Sequence, residues 1–172
     1  MSAVITVTPQ RHTLALLVDN EPGALARVIG LFSARGYNIE SLTVAEVNNA
    51  AHLSRITVVT SGSQQVIDQI KALLSRLVPV HTCVDLTTTA AHVERELALI
   101  KVVGRGESRV EAMRIADIFR ARVVDSTVTS FVFELTGSPD KITAFVELMQ
   151  PLGLAEISRT GVVACYRGEQ TL

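Results

Sequence analysis

The sequence has no tryptophan, and aromatic residues fill only 4% of its 172 positions. With 48% hydrophobic residues, the core must therefore be aliphatic, built from Val, Leu, Ile and Ala. Cysteine is almost absent: Cys83 and Cys165 lie far apart in the chain. That excludes a disulfide framework and a spaced metal motif, and it fits a reducing compartment. Charge of one sign is not in excess, with 16 Lys and Arg against 17 Asp and Glu for a formal net charge of -1. Non-specific nucleic-acid affinity rests on a Lys/Arg excess, so no nucleic-acid partner is expected. Apolar runs such as Leu14 to Val18 are far too short to span a bilayer, so no membrane partner is expected. The first ten residues, MSAVITVTPQ, lack the charged start and long apolar segment of a secretory leader. A cytoplasmic protein is the expectation.

What is present is a pattern stated twice. HTLALLVD, from His12 to Asp19, reads as a strand too apolar to be wetted on either face. Pro22 stands where a first helical turn tolerates proline. Leu25, Val28, Ile29 and Phe32 share one helical face, and Gly36 ends that helix. NIESLTVAEV alternates as a strand, Asn48-Asn49 turns the chain, and HLSRITVVT is a third strand. Ser61-Gly62-Ser63 opens a second helix carrying Val66, Ile67, Ile70, Leu73, Leu74 and Leu77. Pro79 ends it before the strand VHTCVDL.

A polar stretch around residues 87–95 then leads into the same order again. ELALIKVVG is a strand, and Ser108 is the expected N-cap of a helix with Val110, Met113, Ala116 and Phe119 on its apolar face. ARVVDST and SFVFELT are strands. Gly137-Ser138-Pro139 opens a helix with Ile142, Phe145, Val146 and Met149, and LAEISRTGVVACYRG holds a last strand interrupted at Gly161. The fold class is thus α+β, with two tandem ferredoxin-like βαββαβ units. Right-handed crossovers put both helices of a unit on one face of an antiparallel sheet of order 4-1-3-2. The other face is left uncovered, and strands this apolar predict that an oligomer or a partner covers it or extends the sheet.

No catalytic constellation stands out. The four histidines, His12, His52, His81 and His92, have no His or Cys at helical spacing, so surface or strand-end positions are expected for them. Ser41 and Ser54 lack a nucleophile-elbow context. Asp85, Asp117, Asp125 and Asp140 are isolated and fit helix starts or turns. GRGESRVE, at 104–111, lacks the Lys-Ser/Thr of a phosphate-binding loop. Phe131 and Phe133 are expected in the core, without the basic neighbours an RNA-stacking platform needs.

The stretch VDNEPGALARVIGLFSARGYNIESLTV remains. Glu21, Pro22, Gly23 and Ala24 fall at the mouth of a helix, whose first N–H groups lack internal partners and carry the positive end of the dipole. A small carboxylate fits there. Gly23 lets a ligand approach the backbone, and Asn20 offers both a donor and an acceptor. An amino acid, with its carboxylate and ammonium, has the matching chemistry. A plain N-cap and turn role explains the same residues, and both readings stand at this point. Asn38 opens the second strand, an edge strand. If that strand pairs with its copy in another chain, Asn38 is carried to the neighbour's helix mouth.

NEPGALARVIGLFSARGYNIESLTV resembles the start of the ACT domain in the regulatory (small) subunit of acetolactate synthase, or acetohydroxyacid synthase. LSRITVV, AHVERELALIKV, IFRARVVD and SRTGVVACYRG resemble later signatures of that family, so the likeness covers the chain from about residue 11. The resemblance implies an ACT domain over residues 11–86 for effector binding and dimerisation, a linker over 87–95, and a C-terminal ferredoxin-like domain over 96–172. It implies a non-catalytic chain that forms a homodimer and joins a separate catalytic (large) subunit. Thiamine diphosphate, Mg and FAD are expected on that subunit and no cofactor on this one. The family's small subunit raises catalytic activity and confers feedback inhibition by valine in branched-chain amino-acid biosynthesis. Its effector residues correspond to Asn20, Gly23 and Asn38, with Glu21, Pro22, Ala24, Leu25 and Ile39 lining the pocket. The second unit has GRGESRVE in place of the N-x-x-G mouth, so contact with the catalytic subunit is expected of it instead. The residues alone also admit a free-standing ACT-domain sensor acting on another enzyme or on transcription. A hydrolase of the acylphosphatase type would need an Arg paired with Asn20, yet the first one downstream, Arg27, lies on the helix.

Overall fold

The structure, a computed structural model, describes residues 9–172. The N-terminal stretch to which the sequence assigns no role falls almost entirely outside that range. The chain divides into two compact units, one running to Val93 and including Ala164–Leu172, the other Glu94–Val163.

The first unit contains β1 (Gln10–Asp19), α1 (Ala24–Arg35), β2 (Ser41–Asn48), β3 (Leu53–Gly62), α2 (Gln64–Leu74), β4 (Val80–Asp85) and a one-turn helix α3 (Leu86–Thr89). The sheet order is β2-β3-β1-β4, antiparallel throughout, which is the 4-1-3-2 order expected. Leu14, Leu16 and Val18 of β1 meet Ile56 and Val58 of β3 under Val28 and Phe32 of α1 and Ile67, Ile70 and Leu74 of α2. The buried stripe of α1 is Ala24, Val28 and Phe32, a four-residue repeat. Leu25 sits one position off that stripe and is 36% exposed, so it is not a core residue as its spacing predicted. Gly36, with φ 68°, closes α1, and Tyr37 turns its N–H back to the Phe32 carbonyl at 3.0 Å.

The sheet face away from α1 and α2 is not left bare. Thr13, Ala15, Thr57 and Val59 point there and are at most 3% exposed. α3 packs on β1, with Thr87 Oγ1 accepting the Thr13 N–H at 3.0 Å. Arg55, on that same face of β3, donates through Nη2 to the Ala164 carbonyl at 2.7 Å. Residues 86–89 and the returning segment 164–172 cover part of this face, so the chain itself takes some of the role expected of an oligomer or a partner that covers the face or extends the sheet.

The second unit begins with β5 (His92–Val103) and continues with α4 (Glu107–Phe119), β6 (Arg122–Ser126), β7 (Ser130–Gly137) and α5 (Pro139–Met149). A 3-10 turn (Gln150–Leu152) and β8 (Leu154–Arg159) complete it, and β9 (Val163–Tyr166) follows, its residues from Ala164 onward belonging to the first unit. Its sheet order is β6-β7-β5-β8, with β9 also pairing on β5. Its core joins Ala98, Ile100 and Val102 to Phe131, Phe133 and Leu135 beneath Ala112, Ile115, Ile142 and Phe145.

Four expectations are corrected from residue 87 onward. Residues 87–95 are no open linker: α3 and the start of β5 occupy most of them, because Asp85 caps the short helix and β5 begins at His92. Ser108 lies inside α4, which starts from Gly106 at φ 58° without a side-chain cap. Val110 is 70% exposed, since it stands two residues, about 200° around the helix, from the buried Ala112. The helix expected to open at 137–139 is α5, and Ser138 caps it, accepting the Lys141 N–H at 3.4 Å. Phe131 and Phe133 are core residues as expected, but Phe131 has a basic neighbour: the Arg109 guanidinium lies 3.7 Å from its ring centroid.

Candidate functional site

The site is built on the passage from β1 into α1. β1 leaves the sheet at Asp19, whose N–H donates to the Pro79 carbonyl at 2.8 Å, while the Asn20 N–H donates to the His52 carbonyl at 2.7 Å. These two bonds fix Asn20 against the chain entering β4 and the turn entering β3. His52 reaches this position with φ 51°, one of two non-glycine residues in the left-handed region among those described.

Glu21-Pro22-Gly23 then make a turn, and α1 starts at Ala24. The sequence placed Pro22 in the first helical turn; it stands instead two residues ahead of the helix. Gly23, at φ 91°, is the residue before the helix, a conformation that suits a residue without Cβ. No side chain caps this end. The Ala24 N–H reaches the Glu21 carbonyl at 3.2 Å and the Arg27 N–H the Gly23 carbonyl at 3.0 Å. The Leu25 and Ala26 N–H groups stand at the open end of the helical ladder, where the dipole favours an anion. Nothing lies within 4 Å of where a Gly23 Cβ would be, so the approach to this backbone is open.

Asn20, Glu21, Pro22, Gly23 and Leu25 are exposed around the mouth, and Ala24 is buried beneath it. The local charges are partnered. Arg27 Nη1 stands 3.9 Å from Glu21 Oε1, and His81 Nε2 lies 2.6 Å from Asp19 Oδ1. A carboxylate arriving at the mouth would meet acids that already have cationic or donor partners.

Asn38 and Ile39 do not join this group within the chain. They follow α1, whose twelve residues make a helix about 18 Å long. One amino acid cannot touch both ends. Asn38 is exposed, its carbonyl accepting the Thr60 hydroxyl at 2.7 Å, and instead of opening the second strand it stands three residues ahead of β2, an edge strand of its sheet. From Val44 to Asn48 every residue of β2 is exposed, including Val44 and Val47 at 43% and 53%.

Sequence reasoning missed the histidines that shape this unit. His12 is fully buried, with Nδ1 2.8 Å from Asp85 Oδ2, and is not the surface or strand-end residue expected. His81 is exposed but engages Asp19. The only signal in the sequence was that a His and an Asp bound each of the two strands. Among the described residues no group of three His, Cys, Asp or Glu side chains converges on a metal position, and both cysteines are free. No helix among them is long and apolar enough to cross a membrane.

Residues 14–82 match a family described as the AHAS small subunit-like ACT domain, and residues 95–168 match the small subunit of acetolactate synthase. The chain is 46% identical over 160 residues to the probable acetolactate synthase small subunit of Archaeoglobus fulgidus, covering 93% of this chain and 99% of that one. It is 45% identical to the Haemophilus influenzae acetolactate synthase small subunit, covering 94% and 99%. The crystal structure of the small subunit from Thermotoga maritima superposes with a TM-score of 0.84 at 35% identity, over 94% of this chain and 99% of that one. Two ferredoxin-like units in tandem are thus the architecture of a known group, and the chain belongs to the acetolactate synthase small-subunit family.

Proposed function

We propose that this chain is the non-catalytic regulatory subunit of an acetolactate synthase: it activates the catalytic subunit and makes it responsive to valine. The observation that carries the reading is the α1 mouth, where Asn20 stands exposed beside a left-handed Gly23 and a helix end that no side chain caps. The valine carboxylate is received by the first-turn N–H groups and the Asn20 amide. Its isopropyl group rests on exposed aliphatic surface such as Leu25. Asn38 acts in the pocket of a second copy, reached when two β2 edges pair into one continuous sheet; the length of α1 argues against its acting in its own. Thiamine diphosphate, Mg and FAD are assigned to the catalytic subunit.

Valine needs only to favour one arrangement of the paired ACT units. A coupling of about 1–3 kcal/mol gives a roughly 5–150-fold change in response. The second unit is assigned to contact with the catalytic subunit. Calorimetric titration of the full chain with valine, leucine and isoleucine tests the ligand, and reconstitution with the catalytic subunit tests the role. A chain that binds none of the three, or that leaves the catalytic subunit's rate unchanged, refutes the reading.

A further inference from the structure

β1 and β4 are tied together twice, once at each end, by the same pair of residue types in reversed order. At the mouth end, Asp19 of β1 meets His81 of β4 at 2.6 Å. At the opposite end, His12 of β1 meets Asp85 of β4 at 2.8 Å. The first tie is wet, with side-chain exposures of 50% and 41%. The second is dry, at 1% and 0%.

The dry tie also holds the chain's exit from the sheet. Asp85 Oδ1 accepts the Thr87 N–H at 3.0 Å, and Oδ2 accepts the Thr88 hydroxyl at 2.9 Å. Thr89 Oγ1 donates to the Asp85 carbonyl at 2.6 Å. α3 is therefore fastened to β4 and, through His12, to β1, and three residues later the chain enters β5. His12 Nε2 is the one buried side-chain atom among the described residues with no hydrogen-bond partner. An apolar residue would fill the position without leaving a polar atom unpaired, so the position is specified by its Nδ1 contact. Between the ties the ladder runs from Leu14 opposite Asp85 to Val18 opposite Val80, with one irregularity, between Leu17 and Val18 near the mouth.

We propose that this doubly tied strand pair couples occupancy of the α1 mouth to the chain leading into the second unit. The idea rests on the effector reading of the mouth. Ligand at Asn20 acts on its neighbour Asp19 and so on the Asp19–His81 tie. The ladder irregularity gives the mouth end of β4 a place to shift. Asp85, set in place by His12, joins β4 to α3 through Thr87 and Thr88, so the shift reaches the exit instead of being absorbed locally. Such a device needs two discrete arrangements that the ligand favours unequally.

The test uses full-length chains reconstituted with the catalytic subunit. His81→Ala and His12→Leu each remove a tie. His81→Gln and His12→Asn each keep a side-chain N–H near the contacting nitrogen. Valine affinity by calorimetry should stay within about threefold in all four, less than the span of an allosteric coupling, and activation without valine should persist. Saturating valine should no longer inhibit through the Ala and Leu variants, and should still inhibit through the Gln and Asn variants. His81→Ala lies on the surface and should fold even if His12→Leu does not. Normal inhibition through His81→Ala overturns the proposal, as does loss of inhibition in the conservative variants. If the unaltered chain binds no valine, the effector reading falls and this proposal with it, an outcome distinct from the other two.

Discussion

At position 23 the backbone takes φ 91°, and a Cβ there would meet no atom within 4 Å. At position 153 φ is 100°, and a Cβ would stand 2.0 Å from the Val103 carbonyl oxygen. The two glycines share a conformation but differ in surroundings, so alanine should read them differently. Gly23→Ala carries only the left-handed backbone cost, about 1–2 kcal/mol, in urea unfolding. Gly153→Ala must also displace β5, and a loss of about 4 kcal/mol or more is expected. Asn20→Ala, at an exposed site, should change stability by less than about 0.5 kcal/mol while removing the heat of valine binding; a parallel loss of fold would show Asn20 to be structural. Cys83 offers a pH test. Burial pushes its thiol up to about 12 from an ordinary 9.0. Its folded pKa lies above the unfolded one, so its contribution is complete below pH 9 and lost as pH rises toward 12. Denaturant titrations at pH 8 and pH 10 should show a smaller fall in stability for Cys83→Val than for the unaltered chain. Cys165, exposed, should alkylate in the native state while Cys83 waits for unfolding.

Among the elements, the two sheets divide their polar ties unequally. In the second unit Glu96, 5% exposed, is held by Arg159 through Nε and Nη2 at 2.9 and 2.6 Å, across the β5–β8 pair. The Glu96 carboxylate raises the Arg159 pKa, chiefly by this hydrogen bonding. Arg159→Ala leaves a buried carboxylate unpaired and should cost about 3 kcal/mol, the low end for such a break because the guanidinium is partly wetted. Adding Glu96→Gln to that variant should recover part of the loss in thermal unfolding. What the sequence disclosed at this scale followed from periodicity. The βαββαβ order, the stop at Gly36 and the helix opening at 137–139 were legible because each is set by residues within one turn of the element. The start of α4 was not: it is fixed by the backbone of Gly106, and a small error there rotates Val110 from the core to the surface. The His12–Asp85 pair spans 73 positions, and nothing local in HTLALLVD announces it. The candidate site was legible as residue types at the mouth. Its supports, the His52 and Pro79 carbonyls, were not, because backbone acceptors leave no signature in side-chain sequence.

For the whole molecule, the decisive expectation is that a pocket needs two chains. Asn20→Ala and Asn38→Ala homodimers should each fail to bind valine. Mixed after brief unfolding and refolding, they form heterodimers in which one pocket loses both amides and the other keeps both. About one site per heterodimer should reappear in calorimetry. If both amides serve the same chain's pocket, no mixture restores binding. A proline at Thr43, on the β2 edge, should yield monomers in sedimentation and abolish binding with them.

The return of residues 164–172 to the first unit has a consequence in time. Arg55 near the start of β3 waits for the Ala164 carbonyl, and the Arg167 N–H closes on the Ala91 carbonyl at 2.9 Å. A chain emerges from the ribosome at about 5–20 residues per second, N-terminal portion first. The first unit can collapse early, but it cannot be finished until the second has been synthesised. Although first in sequence, it is the last part of the chain to be complete, so a nascent chain halted before residue 164 would carry an ACT unit with an unsealed back.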